Sequence, residues 1–125
     1  MNTITRRCDL ESLDLARSVI DIVEDLKAED IVLLDLRPDA VIADFFVVCT
    51  GNSDRHLKAL AERVREQVKE RYKKVPFASD GTPGSGWLIM DYGDVVVHVF
   101  AEEQRHYYDL ESLWQNVGNV LLSIQ

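Results

Sequence analysis

Residues 86–100, GWLIMDYGDVVVHVF, contain two apolar runs on either side of the polar segment Asp91-Tyr92-Gly93-Asp94. Glycine beside aspartate between two runs of strand-forming residues predicts a β-hairpin. A two-residue turn at Tyr92-Gly93 would pair Trp87 with His98, whereas a turn at Gly93-Asp94 would pair Trp87 with Phe100. The predicted hairpin constrains the fold, because at least one of its two apolar faces has to pack against the rest of the chain.

Side chains alternate between the two faces of a strand, so both registers produce the same two faces. One face is purely aliphatic and is the expected core: Leu88, Met90, Val95, Val97 and Val99. The other, which we call the mixed face, carries Trp87, Ile89, Asp91, Val96, His98 and Phe100. A large apolar patch edged by an acid and an imidazole often marks an interaction site, although a helix of the same chain could cover it instead.

Further elements are predicted before the hairpin. Apolar residues at spacings of three and four predict helices over residues 12–27 and 53–73, with Ser12 and Ser53 as N-caps. Other segments predict two strands and a loop rich in proline and glycine, which are strands 31–36 and 45–50 and loop 76–86.

The end of the chain predicts a short helix over residues 108–115 and a second one over 116–125, after a break near Gly118. The order of elements then predicts one α/β domain, residues 1–125, in which helices flank a mixed β-sheet.

The net charge of −8 comes from 14 basic and 22 acidic residues. A general DNA or RNA binder should be basic, because phosphate neutralisation supplies most of its affinity. Residues 75–125 hold seven acids and one base, which suits a basic protein partner, although acid that serves only solubility explains this equally well. The sequence has neither a membrane-span-like run nor a secretory signal, and its two cysteines form no disulfide framework; these features predict a cytoplasmic location.

The turn Gly51-Asn52-Ser53 lies between a predicted strand and a predicted helix, a position where helix N-termini bind phosphates. However, neither GxxxxGK[ST] nor GxGxxG is present, and Asp54 would oppose an anion. A nucleotidyltransferase would also need a carboxylate pair on a later strand, and residues 95–99 contain none. A capped helix start is favoured, and a minimal nucleotidyltransferase or nucleotide-binding protein is the alternative.

The three histidines and two cysteines lack metal-binding spacing, so no metal and no cofactor are predicted. Cys49 lies in an apolar run and is interpreted as a core residue rather than a nucleophile. His98 alternates with valines, and its default interpretation is a hydrogen-bonded structural histidine.

Residues 102–114, EEQRHYYDLESLW, are dense in the residue types that dominate protein–protein hot spots. We expect Leu110 and Trp114 to dock in the core. Arg105 and Tyr107 join the six residues of the mixed face as predicted partner-binding residues.

Three segments carry a resemblance to a known family: ADFFVVCTGNSDRH, GWLIMDYGDVVVHVF and YYDLESLW. In this order and spacing they closely resemble the ribosomal silencing factor, or Iojap-like, family, and the likeness extends from about residue 15 to residue 115. The resemblance implies an α/β fold related to nucleotidyltransferases but without their catalysis.

The same resemblance implies a function as a translation repressor. It implies binding to the large ribosomal subunit through ribosomal protein fourteen, where the factor blocks subunit joining when nutrients are short. It also implies a homodimer when the protein is free, in which case the mixed face could instead be the contact between copies. The mechanism would be steric, with no enzymatic step.

Overall fold

The structure is a computed structural model that describes residues 2–35, 44–108 and 119–124. In chain order its helices are α1 (Asn2–Asp25), α2 (Asp54–Tyr72) and α3 (Glu102–Tyr108). Its strands are β1 (Glu29–Asp35), β2 (Phe45–Gly51), β3 (Ala78–Asp80), β4 (Trp87–Asp91), β5 (Val95–Ala101) and β6 (Asn119–Ile124). Residues 83–85 form a single 3₁₀ turn before β4.

The strands form one six-stranded sheet in the order β3-β4-β5-β2-β1-β6. The central pair β2 and β5 is parallel, and every other pairing is antiparallel. The predicted α/β fold with a mixed sheet is therefore confirmed.

The helices α1 and α2 cover one face of this sheet. Their apolar stripes pack with the aliphatic face of the hairpin and with alternate residues of β1 and β2, including Leu33, Phe45 and Val47. Met90, Val95, Val97 and Val99 have no exposed surface, and Leu88 is also buried. The prediction that this face is core is confirmed.

A second apolar cluster lies on the opposite face of the sheet. It consists of Val32, Leu34, Phe46, Val48, Val96 and Phe100, with Trp87 and Ile89 packed against it. All seven residues of β2 are buried, which fits the prediction of a strand covered on both sides.

The predicted start of the first helix is wrong. α1 begins at Asn2, so Ser12 lies inside the helix instead of capping it. Ser12 is buried, and its hydroxyl donates a hydrogen bond of 3.3 Å to a carboxylate oxygen of Asp44. Ser53, in contrast, is confirmed as an N-cap, since its Oγ accepts from the backbone N–H of His56 at 3.1 Å.

Two strands were missed. The loop predicted over residues 76–86 contains β3, a three-residue edge strand that pairs with β4. The second short helix predicted over residues 116–125 is wrong, because residues 119–124 form β6 and pair with β1. A short apolar run fits either a strand or a buried helix, and here the open edge of β1 decides. The other predicted helix, over residues 108–115, falls mostly outside the described residues.

Polar side chains join the two long helices to each other and connect the start of α2 to the turns that follow α1 and β2. The Tyr72 hydroxyl donates to a carboxylate oxygen of Asp14 at 2.8 Å and lies 2.6 Å from the Ser18 hydroxyl. His56 accepts from the Asn52 backbone N–H at Nδ1, so its Nε2 donates to the Leu26 carbonyl at 2.8 Å. Among the described residues, no helix is long and apolar enough to cross a bilayer.

Candidate interaction face on the central hairpin

The hairpin register places all six mixed-face residues on one side of the sheet. Trp87 pairs with Phe100, Ile89 with His98 and Asp91 with Val96. The turn is Gly93-Asp94, closed by a 2.9 Å bond from the Tyr92 N–H to the Val95 carbonyl. Gly93 has a φ of +90°, a backbone conformation that residues with a Cβ rarely adopt. The predicted grouping of side chains on the two faces of the hairpin is confirmed, and the structure selects the second of the two registers.

Burial divides the mixed face into an inner and an outer half. Val96 and His98 are each 5% exposed and Phe100 is 0% exposed. Trp87, Ile89 and Asp91 are half-buried. The reason is position, because β5 lies between β4 and β2 while β4 is next to the edge strand.

This division bears on the predicted partner site. Val96, His98 and Phe100 are nearly enclosed in the free chain, and partner binding by these three residues stays a prediction. Direct partner contact also stays a prediction for the outer residues Trp87, Ile89 and Asp91.

The aromatic rings of the face form a connected cluster. The Trp87 and Phe100 rings are stacked, with centroids 4.9 Å apart and planes 27° apart. The His98 ring lies 4.7 Å from that of Phe46 in a tilted arrangement. The Trp87 indole N–H donates to His98 Nδ1 at 3.3 Å. Trp87 is therefore held at its ring plane and at its polar tip.

His98 is a neutral histidine at physiological pH. Burial lowers its pKa from the ordinary 6.5 to about 4. Because Nδ1 accepts a hydrogen bond from the indole N–H, the hydrogen of the neutral imidazole resides on Nε2. That Nε2 is buried and has no hydrogen-bond partner among the described residues. The default interpretation of His98 as a hydrogen-bonded structural residue thus holds for one of its two nitrogens.

Asp91 already has an internal role. One of its carboxylate oxygens accepts from the Gly93 backbone N–H at 2.7 Å, which supports the hairpin turn. The residue remains half-buried at the end of β4, so it still contributes negative charge to the edge of the mixed face.

Arg105 and Tyr107, the other two predicted partner residues, lie in α3. The Arg105 guanidinium donates to the Thr50 hydroxyl at 2.8 Å and to the Asp30 carbonyl. It therefore holds α3 against the start of β1 and the end of β2. This anchoring role could not be predicted from the sequence, since Asp30 and Thr50 are distant from Arg105 along the chain. The Tyr107 side chain lies outside the described part of the structure.

The Gly51-Asn52-Ser53 turn borders a hollow of about 340 Å³. Glycine at 51 suits the packing, because a Cβ there would come within 2.7 Å of Leu57 Cδ2 and would force that buried side chain to shift. The hollow is lined by four acids, Glu29, Asp54, Glu102 and Glu103. These carboxylates would repel the phosphate groups of a nucleoside triphosphate.

The sequence predicts no metal site, and it predicts that Cys49 is a core residue and not a nucleophile. No group of three His, Cys, Asp or Glu side chains suited to a metal occurs within the described ranges. Cys49 is fully buried, and burial raises the pKa of its thiol to about 12. Its interpretation as a core residue is confirmed.

Sheet, helices and hairpin together define a small α/β protein built on a single mixed sheet. Residues 9–124 match the family model described as "Ribosomal silencing factor during starvation", and the chain belongs to this family. The resemblance inferred from three sequence segments is confirmed.

Several relatives agree along most of their length. The ribosomal silencing factor RsfS of Halalkalibacterium halodurans is 35% identical over 113 residues, which are 90% of this chain and 96% of the relative. That of Bacillus subtilis is 42% identical over 91 residues, covering 73% and 76% of the two chains. A crystal structure of a Chromobacterium violaceum protein superimposes with a TM-score of 0.77 at 37% identity, covering 82% of this chain and 85% of the other.

Proposed function

We propose that this chain is a translation repressor that binds the large ribosomal subunit through ribosomal protein fourteen and blocks its association with the small subunit when nutrients are short. The observation that carries the proposal is the match of residues 9–124 to a family described by silencing during starvation. Relatives with the same printed name match over most of their own length, which supports a shared role.

The proposed mechanism is steric exclusion. A folded body of 14.3 kDa on the joining face of one subunit occupies space that the other subunit needs. Its effectiveness depends on occupancy and on position, so affinity for the large subunit is the quantity that matters. No bond is made or broken in this mechanism.

We assign the contact to the outer half of the mixed face, formed by Trp87, Ile89 and Asp91. These residues combine a large aromatic ring, an aliphatic side chain and an acid on a rigid strand, and they are half-buried rather than enclosed. Partly exposed aromatic anchors are typical of binding hot spots. The acid and the net charge of −8 favour a basic partner.

The proposal includes the absence of enzymatic activity. The turn at Gly51-Asn52-Ser53 is used for helix capping, and the acids beside it oppose phosphate. Calorimetry with ATP and Mg²⁺ tests this point. Micromolar binding would support the alternative of a nucleotide-binding or nucleotidyltransferase-like protein.

We further propose that the free protein is cytoplasmic and forms a homodimer. Sedimentation velocity over a dilution series tests the dimer. A sedimentation coefficient that stays at the value of a 14.3 kDa monomer at every concentration would contradict it.

The direct test of the function is co-sedimentation with separated ribosomal subunits. We expect the chain to move with the large subunit and not with the small one. Depletion of ribosomal protein fourteen from the large subunit should abolish the association. Equal binding to both subunits, or to neither, would contradict the proposal.

A further inference from the structure

The Trp87 side chain is fixed by two different contacts within its own chain. Its ring stacks on Phe100 with centroids 4.9 Å apart. Its indole N–H donates to His98 Nδ1 at 3.3 Å. Stacking alone would allow the indole to turn in its plane, whereas the hydrogen bond selects the orientation that directs the N–H inward.

The His98 ring is itself confined. It lies 4.7 Å from the Phe46 ring and 6.2 Å from the Phe100 ring, nearly parallel to the latter. It is 5% exposed, so it has little freedom to follow a moving indole. The acceptor for Trp87 is therefore a fixed point on β5.

Stability does not explain a histidine at this position. Its Nε2 is buried without a hydrogen-bond partner in the part of the chain that the structure describes. Burying an unpaired N–H has a free-energy cost, and an aliphatic side chain of similar volume would avoid it. The benefit that offsets this cost is the bond to Trp87, which an aliphatic residue cannot make.

We infer that His98 is a positioning residue for the partner contact, whose Nδ1 holds the Trp87 indole against Phe100 so that Trp87 presents its apolar ring, and not its N–H, outward. This inference rests on the proposed function and adds a property of the partner. The partner group that meets Trp87 is apolar rather than a hydrogen-bond acceptor, because the indole N–H is already donated within the chain.

A matched pair of variants separates positioning from stability. His98→Asn keeps a hydrogen-bond acceptor near the position of Nδ1 but buries an amide. His98→Leu has a closely similar shape, has no acceptor and removes the unpartnered N–H. We expect the Leu variant to melt at the same temperature as the wild type or higher, and the Asn variant to melt lower.

Binding should follow the opposite order. His98→Leu should bind the large subunit about three- to tenfold more weakly, the value of one lost hydrogen bond. His98→Asn should stay within about twofold of the wild type. In NMR spectra of the free protein, the Trp87 indole ¹⁵N–¹H resonance, assigned with Trp87→Phe, should move in the Leu variant much more than in the Asn variant.

The outcomes distinguish this inference from the proposed function. If Trp87→Ala loses binding while both His98 variants bind like the wild type, the positioning role is overturned and the function stands. An unchanged indole resonance in His98→Leu would also overturn the positioning role. If the wild type does not bind the large subunit, the proposed function fails and takes the positioning role with it.

Discussion

At the scale of single residues, two chemically active side chains are held in inactive states by burial. Cys49 in β2 and His98 in β5 lie on neighbouring parallel strands, and both side chains are buried. Desolvation raises the pKa of the Cys49 thiol and lowers that of the His98 imidazole, so each remains neutral near pH 7.

The Cys49 thiol should be unreactive in the folded protein. In a Cys8→Ser background, a thiol-specific reagent at pH 8 should modify Cys49 only at the rate at which the domain opens. In denaturant, where the domain is unfolded, the same thiol should react completely by the first time point. Rapid modification of the native protein would show that Cys49 is not a core residue.

His98 should make the stability of the domain depend on pH. The unfolded imidazole takes up a proton near pH 6.5, whereas the folded one resists it until about pH 4. The buried neutral imidazole therefore makes its full contribution to the free energy of unfolding above pH 6.5. This contribution, on the order of 3 kcal/mol, is lost as the pH falls towards 4. Denaturant unfolding of wild type and His98→Leu over this range measures the difference, in which other titrating groups cancel. Parallel curves for the two proteins would contradict the buried, neutral state of His98.

At the scale of elements, the hairpin shows what the sequence can and cannot predict. Alternation settled which residues share a face, because side-chain direction follows from strand geometry alone. The choice between the two turns, and the burial of Val96, His98 and Phe100, depend on where β5 lies in the sheet. That position is set by contacts with β2, about fifty residues away in the chain.

The same reason explains the other errors. β3 has three residues and exists through its pairing with β4, without any alternation of its own. β6 has an apolar run that fits a helix equally well until the edge of β1 is known. The anchoring of Arg105 at Thr50 likewise requires the folded sheet. Long-range pairing supplied the information in every case.

Substitutions on the two faces of β4 should have different effects, one on binding and the other on folding. Trp87→Ala should weaken binding to the large subunit by about 2–4 kcal/mol, which is roughly 30- to 1000-fold, and should keep a cooperative melt. Met90→Asp, at a position with no exposed surface, should unfold the domain, because it buries an unpaired charge. Circular dichroism melts and co-sedimentation of both variants separate the effects.

Asp91→Lys is the companion variant on the outer half of the mixed face. It should weaken binding through repulsion from a basic partner, and it also removes the acceptor for the Gly93 N–H. A Trp87→Ala variant that bound normally would place the partner site elsewhere, with α3 around Arg105 the next candidate.

At the scale of the whole molecule, charge should act mainly on the rate of encounter. The chain carries −8 overall, and its excess of acids over bases lies outside the helix α2, which holds six basic and four acidic residues. Attraction between exposed charges is screened over about 8 Å at physiological ionic strength, so the association rate with the large subunit should fall as salt rises. The dissociation rate should change less. Stopped-flow kinetics that are flat between low and high salt would show that the acid excess serves solubility only.

In the proposed mechanism, a chain bound to the large subunit excludes the small subunit. Light scattering of purified subunits measures this directly, with the chain added to the large subunit before the small subunit is introduced. We expect the joined fraction to fall as the concentration of the wild-type chain rises, and we expect Trp87→Ala to require a much higher concentration for the same effect. Normal joining on large subunits that are saturated with the wild-type chain would contradict this mechanism.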